Sequence, residues 1–331
     1  YLELDQLRQA MFFVAGELFG FEFEPVPAGS VPVFHPEVRV WEVRRRADGA
    51  HVGLWYLDPY ARQGKRSGAW ATSYRDHETF DGARTVLASN NSNFIQGPPG
   101  EPVLVSWDDA TTMFHEFGHA LHALSSNVAY PTLNGGVRDY TEFQSQLLER
   151  WLSTAPVIER FLRHYRTRAP MPEELVAKIK RAETFNQGFA TTEYLASALM
   201  DLAYHTRDFG ADSAGFDARA FERETLAALG MPRELVMRHR SPQFTHIFSD
   251  ESYAAGYYGY IWADVLTADA AEAFAEAPGG FYDRELSAKL VLNLFAARNA
   301  LDPAEAYRAF RGRDARMEAL MRDRGFPVAA R

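Results

Sequence analysis

The chain has 331 residues, 47% of them apolar, enough to bury a large core as one large or two medium domains. The absence of cysteine excludes disulfides and thiolate metal ligands and predicts a reducing, cytoplasmic setting. A net charge of −9 with scattered Lys and Arg predicts no nucleic-acid partner. No apolar stretch approaches the roughly 20 residues of a membrane helix, so no membrane association is expected.

The acidic opening Tyr1-Leu2-Glu3-Leu4-Asp5 stands where a signal peptide would carry a basic region. A helix is expected from about Asp5 to Phe19. Val38 to Val43 alternates in polarity, Ala47-Asp48-Gly49 turns and His51 to Tyr56 returns, which reads as a β-hairpin. Further strands are expected near Gly68 to Tyr74 and Thr85 to Ser89. Asn90 to Asn93 and Gln96 to Gly100 read as loops. From Asp108 onward the pattern is helical, with breaks around Pro131 to Gly136, Ala169 to Pro172, Asp208 to Phe216 and Pro278 to Gly280. The expected fold is mainly α with a small β-sheet (α+β). A sheet region at about 36–94 would pack on a helical body at about 108–331, all within one domain, 1–331. An edge strand of that sheet is a candidate platform for extended peptide backbone.

The most informative stretch is His115-Glu116-Phe117-Gly118-His119-Ala120-Leu121-His122. Ser106 followed by Asp109 is a capping box, and Ala110, Met113, Phe114, Phe117, Leu121 and Leu124 recur at helical spacing. An H-E-x-x-H string on that helix sets two imidazoles one turn apart, about 6 Å between Cβ atoms. That reach lets both rings hold one Zn²⁺ at roughly 2.0–2.1 Å. Glu116 then faces what the metal holds and suits a general base. The bland alternative is three histidines on a half-buried helix, satisfied by other partners, but a buried polar stripe is costly unless compensated. A catalytic zinc needs a third protein ligand and one position left for water. His122 is nearest, yet three rings do not easily converge from one straight helix. Glu142, in Asp139-Tyr140-Thr141-Glu142-Phe143-Gln144-Ser145-Gln146, is the choice from a second helix, with Asp139 the fallback. Asp139 and Gln146 are candidates for orienting a ligand imidazole.

These residues resemble the thimet oligopeptidase family of zinc metallopeptidases, and within it the bacterial peptidyl-dipeptidase (dipeptidyl carboxypeptidase) branch. HEFGHALH at 115–122 is similar to that family's zinc helix, and 139–146 to its third-ligand segment. Further similar runs are Phe185 to Gly188 with Thr192 to Leu195, Arg238 to Phe248, Tyr253 to Trp262, and Phe310 to Asp314 with Arg324 to Phe326. Two departures stand out: Ser249-Asp250-Glu251-Ser252 where the family carries a glycine pair, and Gln144 in place of a proline.

The resemblance implies a zincin-type catalytic half, one Zn²⁺ held by His115, His119 and Glu142, and His122 as a neighbour of the site. It implies hydrolysis of peptide bonds in short peptides by zinc-bound water, with Glu116 as general base and release of C-terminal dipeptides. Tyr260, with Tyr253 and His246 on the same wall, would stabilise the oxyanion, leaving Tyr257 and Tyr258 as packing. Arg138, Arg238 and Arg240 are available for a substrate's terminal carboxylate. The alternatives are an oligopeptidase cutting internally and a non-catalytic, metal-bound peptide-binding remnant. Family members are about twice this long, which implies that an N-terminal helical half is absent. That half, or self-association, would cover an otherwise open cleft.

Overall fold

The computed structural model describes residues 1–98, 100–210, 215–249 and 251–328. Asp250 of the acidic stretch, Pro99 of the Gln96 to Gly100 loop and part of the break at 208–216 lie outside the described residues. The fold is mainly α with one small sheet. Helix α1 (Leu4–Phe19) starts where the Glu3 carboxylate accepts the amides of Asp5 and Gln6, and stops at Gly20 in the left-handed region. Its Leu4, Leu7, Met11, Val14 and Leu18 are buried at helical spacing.

Five strands follow: β1 (Phe21–Pro25), β2 (Arg39–Arg45), β3 (His51–Tyr60), β4 (Trp70–Arg75) and β5 (Val86–Phe94). They lie in the order β1-β2-β3-β5-β4, so β4 is an edge strand that pairs with β5 alone. The β2–β3 hairpin forms where the alternation places it. Strands β3 and β5 are parallel and the other pairs antiparallel. Gly53 is required there, because a Cβ would sit 2.3 Å from the Val86 carbonyl oxygen.

Two sequence expectations are corrected. The sheet begins at Phe21, before position 36, because Phe21-Glu22-Phe23-Glu24 pairs with β2. Asn90 to Asn93 is not a loop but the second half of β5, with Asn90, Asn91 and Ser92 buried. Their side chains find partners inside: Asn90 between Trp55 and α2, and Asn91 on the Trp70 carbonyl and Ser89. Satisfied amides cost little to bury.

Helix α2 (Trp107–Leu124) has the expected capping box between Ser106 and Asp109. Next come α3 (Phe143–Glu149), α4 (Ala155–Phe161), α5 (Glu173–Glu183), α6 (Gln187–Thr206) and α7 (Ala218–Ala228). The remainder is α8 (Thr245–Phe248), α9 (Gly259–Glu276), α10 (Arg284–Leu290), α11 (Pro303–Arg311) and α12 (Met317–Asp323).

One hydrophobic core joins α1, the sheet, α2, α3 and the C-terminal helices. In it Phe117 of α2 meets Trp55 edge-on at 5.3 Å, while Phe12 stacks on Phe23 at 4.1 Å. Burying that face of α2 turns its other face to a cleft. A separate cluster of Met200, Tyr204, Met237, Phe244, Ile247 and Tyr257 forms around α6. Buried Asp269 accepts from Arg313, Arg311 and Tyr307, tying α9 to the C-terminal segment.

Candidate active site

The cleft face of α2 carries His115 and His119, with ring centroids 5.1 Å apart. Glu142 stands at the N-cap position of α3, almost wholly buried, its side chain turned to both rings instead of capping the helix. Its Oε2 lies 3.2 Å from His115 Nε2 and 3.3 Å from His119 Nε2. Three donors bound to one tetrahedral ion at roughly 2.0–2.1 Å would lie about 3.3–3.4 Å apart. The two observed separations match that edge, and all three donor atoms fall within 4.8 Å of one another. The donor set therefore fits a divalent ion of zinc's size and preferences.

Two close approaches set this geometry. A Cβ on Gly118 would stand 2.6 Å from both the Gln144 carbonyl oxygen and Ser145 Cα, so glycine lets α2 and α3 touch along their backbones. Ser145 Oγ also donates to Glu142 Oε2 at 3.1 Å. On the far side, His115 Nδ1 meets Glu149 Oε1 at 2.6 Å, fixing the ring so that Nε2 faces the cleft. That partner is neither Asp139 nor Gln146. Asp139 instead accepts from the Tyr258 hydroxyl, so Tyr258 is a tether rather than packing alone. Gln146 leaves its Oε1 buried without a hydrogen bond. Glu149 lies seven residues after Glu142, the spacing of one helix face, and that periodicity is the signal that could have found it.

The electrostatics agree with a cation site. Burial disfavours a charged His115, but Glu142 and Glu149 outweigh it and raise its pKa to about 10. Burial also works against the Glu142 anion, yet the two imidazoles hold it far below the usual carboxylate range. Glu116 is buried beside them, and burial pushes its pKa up against the pull of His119 and His115. Its backbone carbonyl accepts from Asn90 Nδ2, and Asn90 Oδ1 accepts from Trp55 Nε1 at 2.6 Å, which anchors this turn of α2 to the sheet. His122 is half-buried at the cavity's edge, its pKa held well down by burial and Arg298, and packs edge-on against Phe295.

A cavity of about 770 Å³ opens over these residues. Trp70 to Ser73 of β4 form one wall, and His246, Tyr253 and Tyr260 another. Tyr260 Oη and His246 Nε2 are 3.1 Å apart, and the Tyr253 ring packs edge-on against His246 at 4.4 Å. Burial and the nearby Glu142 push the Tyr260 phenol well up, so it stays a neutral donor. Burial and then the Arg138 charge lower the His246 pKa, opposed by Glu142.

Of the three arginines singled out by sequence, Arg238 pairs with Glu193 at 3.1 Å and Arg240 pairs with Glu222. Arg138 stacks behind Tyr253, its Cζ 3.9 Å from the ring centroid. The arginines that line the cavity among the described residues are Arg66 and Arg298, which sequence reasoning passed over.

A His-His-Glu group able to hold a metal ion, between a five-stranded sheet and a helical body, defines the class of site. The model of peptidase family M3 matches residues 1–326, and the chain belongs to that family. It is 36% identical to the dipeptidyl carboxypeptidase of Escherichia coli over 332 residues, covering 99% of this chain and 47% of that relative. The dipeptidyl carboxypeptidase of Salmonella typhimurium is 37% identical over 323 residues, 96% of this chain and 46% of the relative. Oligopeptidase A of Escherichia coli is 33% identical over 337 residues, 98% of this chain and 47% of the relative. The chain thus spans about half the length of the curated relatives it matches. No helix among the described residues is long and apolar enough to cross a membrane.

Proposed function

We propose that this chain hydrolyses peptide bonds in short peptides with one zinc ion held by His115, His119 and Glu142, releasing C-terminal dipeptides. The observation that carries the reading is the pair of tetrahedral-edge separations at Glu142 Oε2, with Glu116 buried beside them. Zinc in such a site supplies Lewis-acid activation of water and of the scissile carbonyl. Glu116 takes the proton of the attacking water as the C–O bond forms, then delivers it to the amide nitrogen as the C–N bond breaks. Tyr260 donates its hydroxyl to the carbonyl oxygen as negative charge develops, with His246, backed by Tyr253, keeping that hydroxyl in place. The free edge of β4 holds the extended substrate backbone. Arg66 and Arg298 are the cavity arginines able to meet a terminal carboxylate. An N-terminal helical half, or a second copy, covers the cleft in the working protein.

A second reading, internal cleavage as an oligopeptidase, has support in the likeness to oligopeptidase A. The test is metal content measured beside product masses from defined peptides of four to ten residues. Dipeptides from the C-terminus alone support the first reading, and internal fragments the second. Glu116→Gln should lower turnover at least about 10²-fold while retaining the metal. Unchanged turnover would place the activity outside this site, and an inactive metal-loaded chain would favour a peptide-binding remnant.

A further inference from the structure

The wall opposite β4 is irregular: from Glu251 to Tyr258 the backbone runs through turns and bends before α9 begins. Ala255 holds φ 55°, a left-handed conformation that residues other than glycine avoid. Something outside the loop must therefore fix it, and the contacts lead to α6. The Asp201 carboxylate has no exposed surface. Its Oδ1 accepts the Ala255 amide at 3.0 Å and its Oδ2 the Tyr257 amide at 2.8 Å. His205 Nδ1, one turn along, lies 2.7 Å from the same Oδ1, and its ring packs on Phe248 of α8 at 5.7 Å. Two turns earlier on α6, the Tyr194 hydroxyl donates to the Tyr257 carbonyl and accepts the Ile261 amide at 3.2 Å. Two side chains of one helix thus hold four backbone groups that flank Tyr253 and Tyr260. A buried carboxylate is tolerable only when its lone pairs are filled, so the loop and Asp201 lock each other.

We infer that Asp201 and Tyr194 are positioning residues, which set the Tyr260 and Tyr253 hydroxyls against the metal-ligand triad from a separate hydrophobic cluster. The inference rests on the proposed role of Tyr260 at the reacting carbonyl. Neither residue touches the cavity. Misplacing a catalytic group by about 1 Å costs on the order of 10²-fold in rate.

The test uses the zinc-loaded full chain with Asp201→Asn, Tyr194→Phe, Tyr260→Phe and the two corresponding double variants. Each positioning variant should lose about 10- to 100-fold in kcat with KM within about twofold, and bind zinc at unchanged stoichiometry. Added to Tyr260→Phe, each should cost less than about twofold more, because the group it positions is gone. Hydrogen exchange should quicken in the Tyr253–Tyr258 peptide and stay unchanged across Trp107–Leu124. Full multiplication of the two losses, or exchange unchanged at Tyr253–Tyr258, overturns the inference. If Asp201→Asn loosens the whole chain, Tyr194→Phe, which buries no orphaned charge, decides. If Tyr260→Phe turns over like the parent, the proposed catalytic role of Tyr260 falls instead. The exchange measurement then still decides whether α6 holds the loop.

Discussion

Tyr260 and Glu149 lie at opposite sides of the proposed metal-ligand triad, and their variants should separate accordingly. In the proposed mechanism Tyr260, kept neutral by burial and by Glu142, offers a single hydroxyl to charge that develops only during reaction. Losing one such donor typically costs about 10²–10³ in kcat. Tyr260→Phe should therefore lower kcat on that scale with KM nearly constant, measured by steady-state kinetics, and leave zinc affinity untouched. Glu149 does not line the cavity; it holds Nδ1 of His115 at 2.6 Å and so aims Nε2. Glu149→Gln keeps the shape and removes the charge, and zinc affinity should fall about 10- to 100-fold in a competition titration with a chelator. A kcat loss in that variant that persists at saturating zinc would contradict the assignment.

The proposed metal-ligand triad is a property of α2 and the N-cap of α3, and Gly118 sets their approach. An Ala in a helix interior is ordinarily better than Gly by about 1 kcal/mol. Here the added methyl meets two backbone atoms of the Gln144–Ser145 peptide at 2.6 Å, and backbone cannot rotate away as a side-chain tip could. Overpacking of this kind costs about 1–3 kcal/mol, so the clash outweighs the propensity gain. Gly118→Ala should lower the midpoint of denaturant unfolding and weaken zinc binding together, because the same displacement carries Glu142 away from both rings. At this scale the sequence was legible where the signal is local. The H-E-x-x-H spacing, the capping box and the apolar stripe of α2 all sit within nineteen residues, Ser106 to Leu124, and the structure repeats them. Glu142 was reachable because its acid stands at the start of a short helical pattern. Glu149 was missed, since its spacing from Glu142 puts it on the same face but does not name the ring, 34 residues away, that it contacts. Asn90 to Asn93 misled for the complementary reason. Asparagine signals a turn when its amide faces water, and β5 buries it only because α2 and β4 supply partners from elsewhere.

Across the whole molecule, the donor atoms come from two helices fixed in one large core, whereas the tyrosine wall belongs to the separate cluster around α6. Zinc bound by His115, His119 and Glu142 would cross-link α2 to α3 within that core, and ligands absent from the unfolded chain as a formed site make binding a folding term. At a free ion concentration of 100 times Kd the stabilisation is about 2.7 kcal/mol. For a chain of this size that corresponds to a rise in Tm on the order of 5 °C. Thermal unfolding with zinc and with excess chelator should show that difference in the parent chain. Tyr260→Phe should keep the whole shift, since it alters the other cluster, and Glu142→Ala should abolish most of it. If the Glu142→Ala variant kept the full zinc-dependent shift, the ion would be stabilising the fold from some other place, and the convergence of Glu142 on the two imidazoles would have a purely structural meaning.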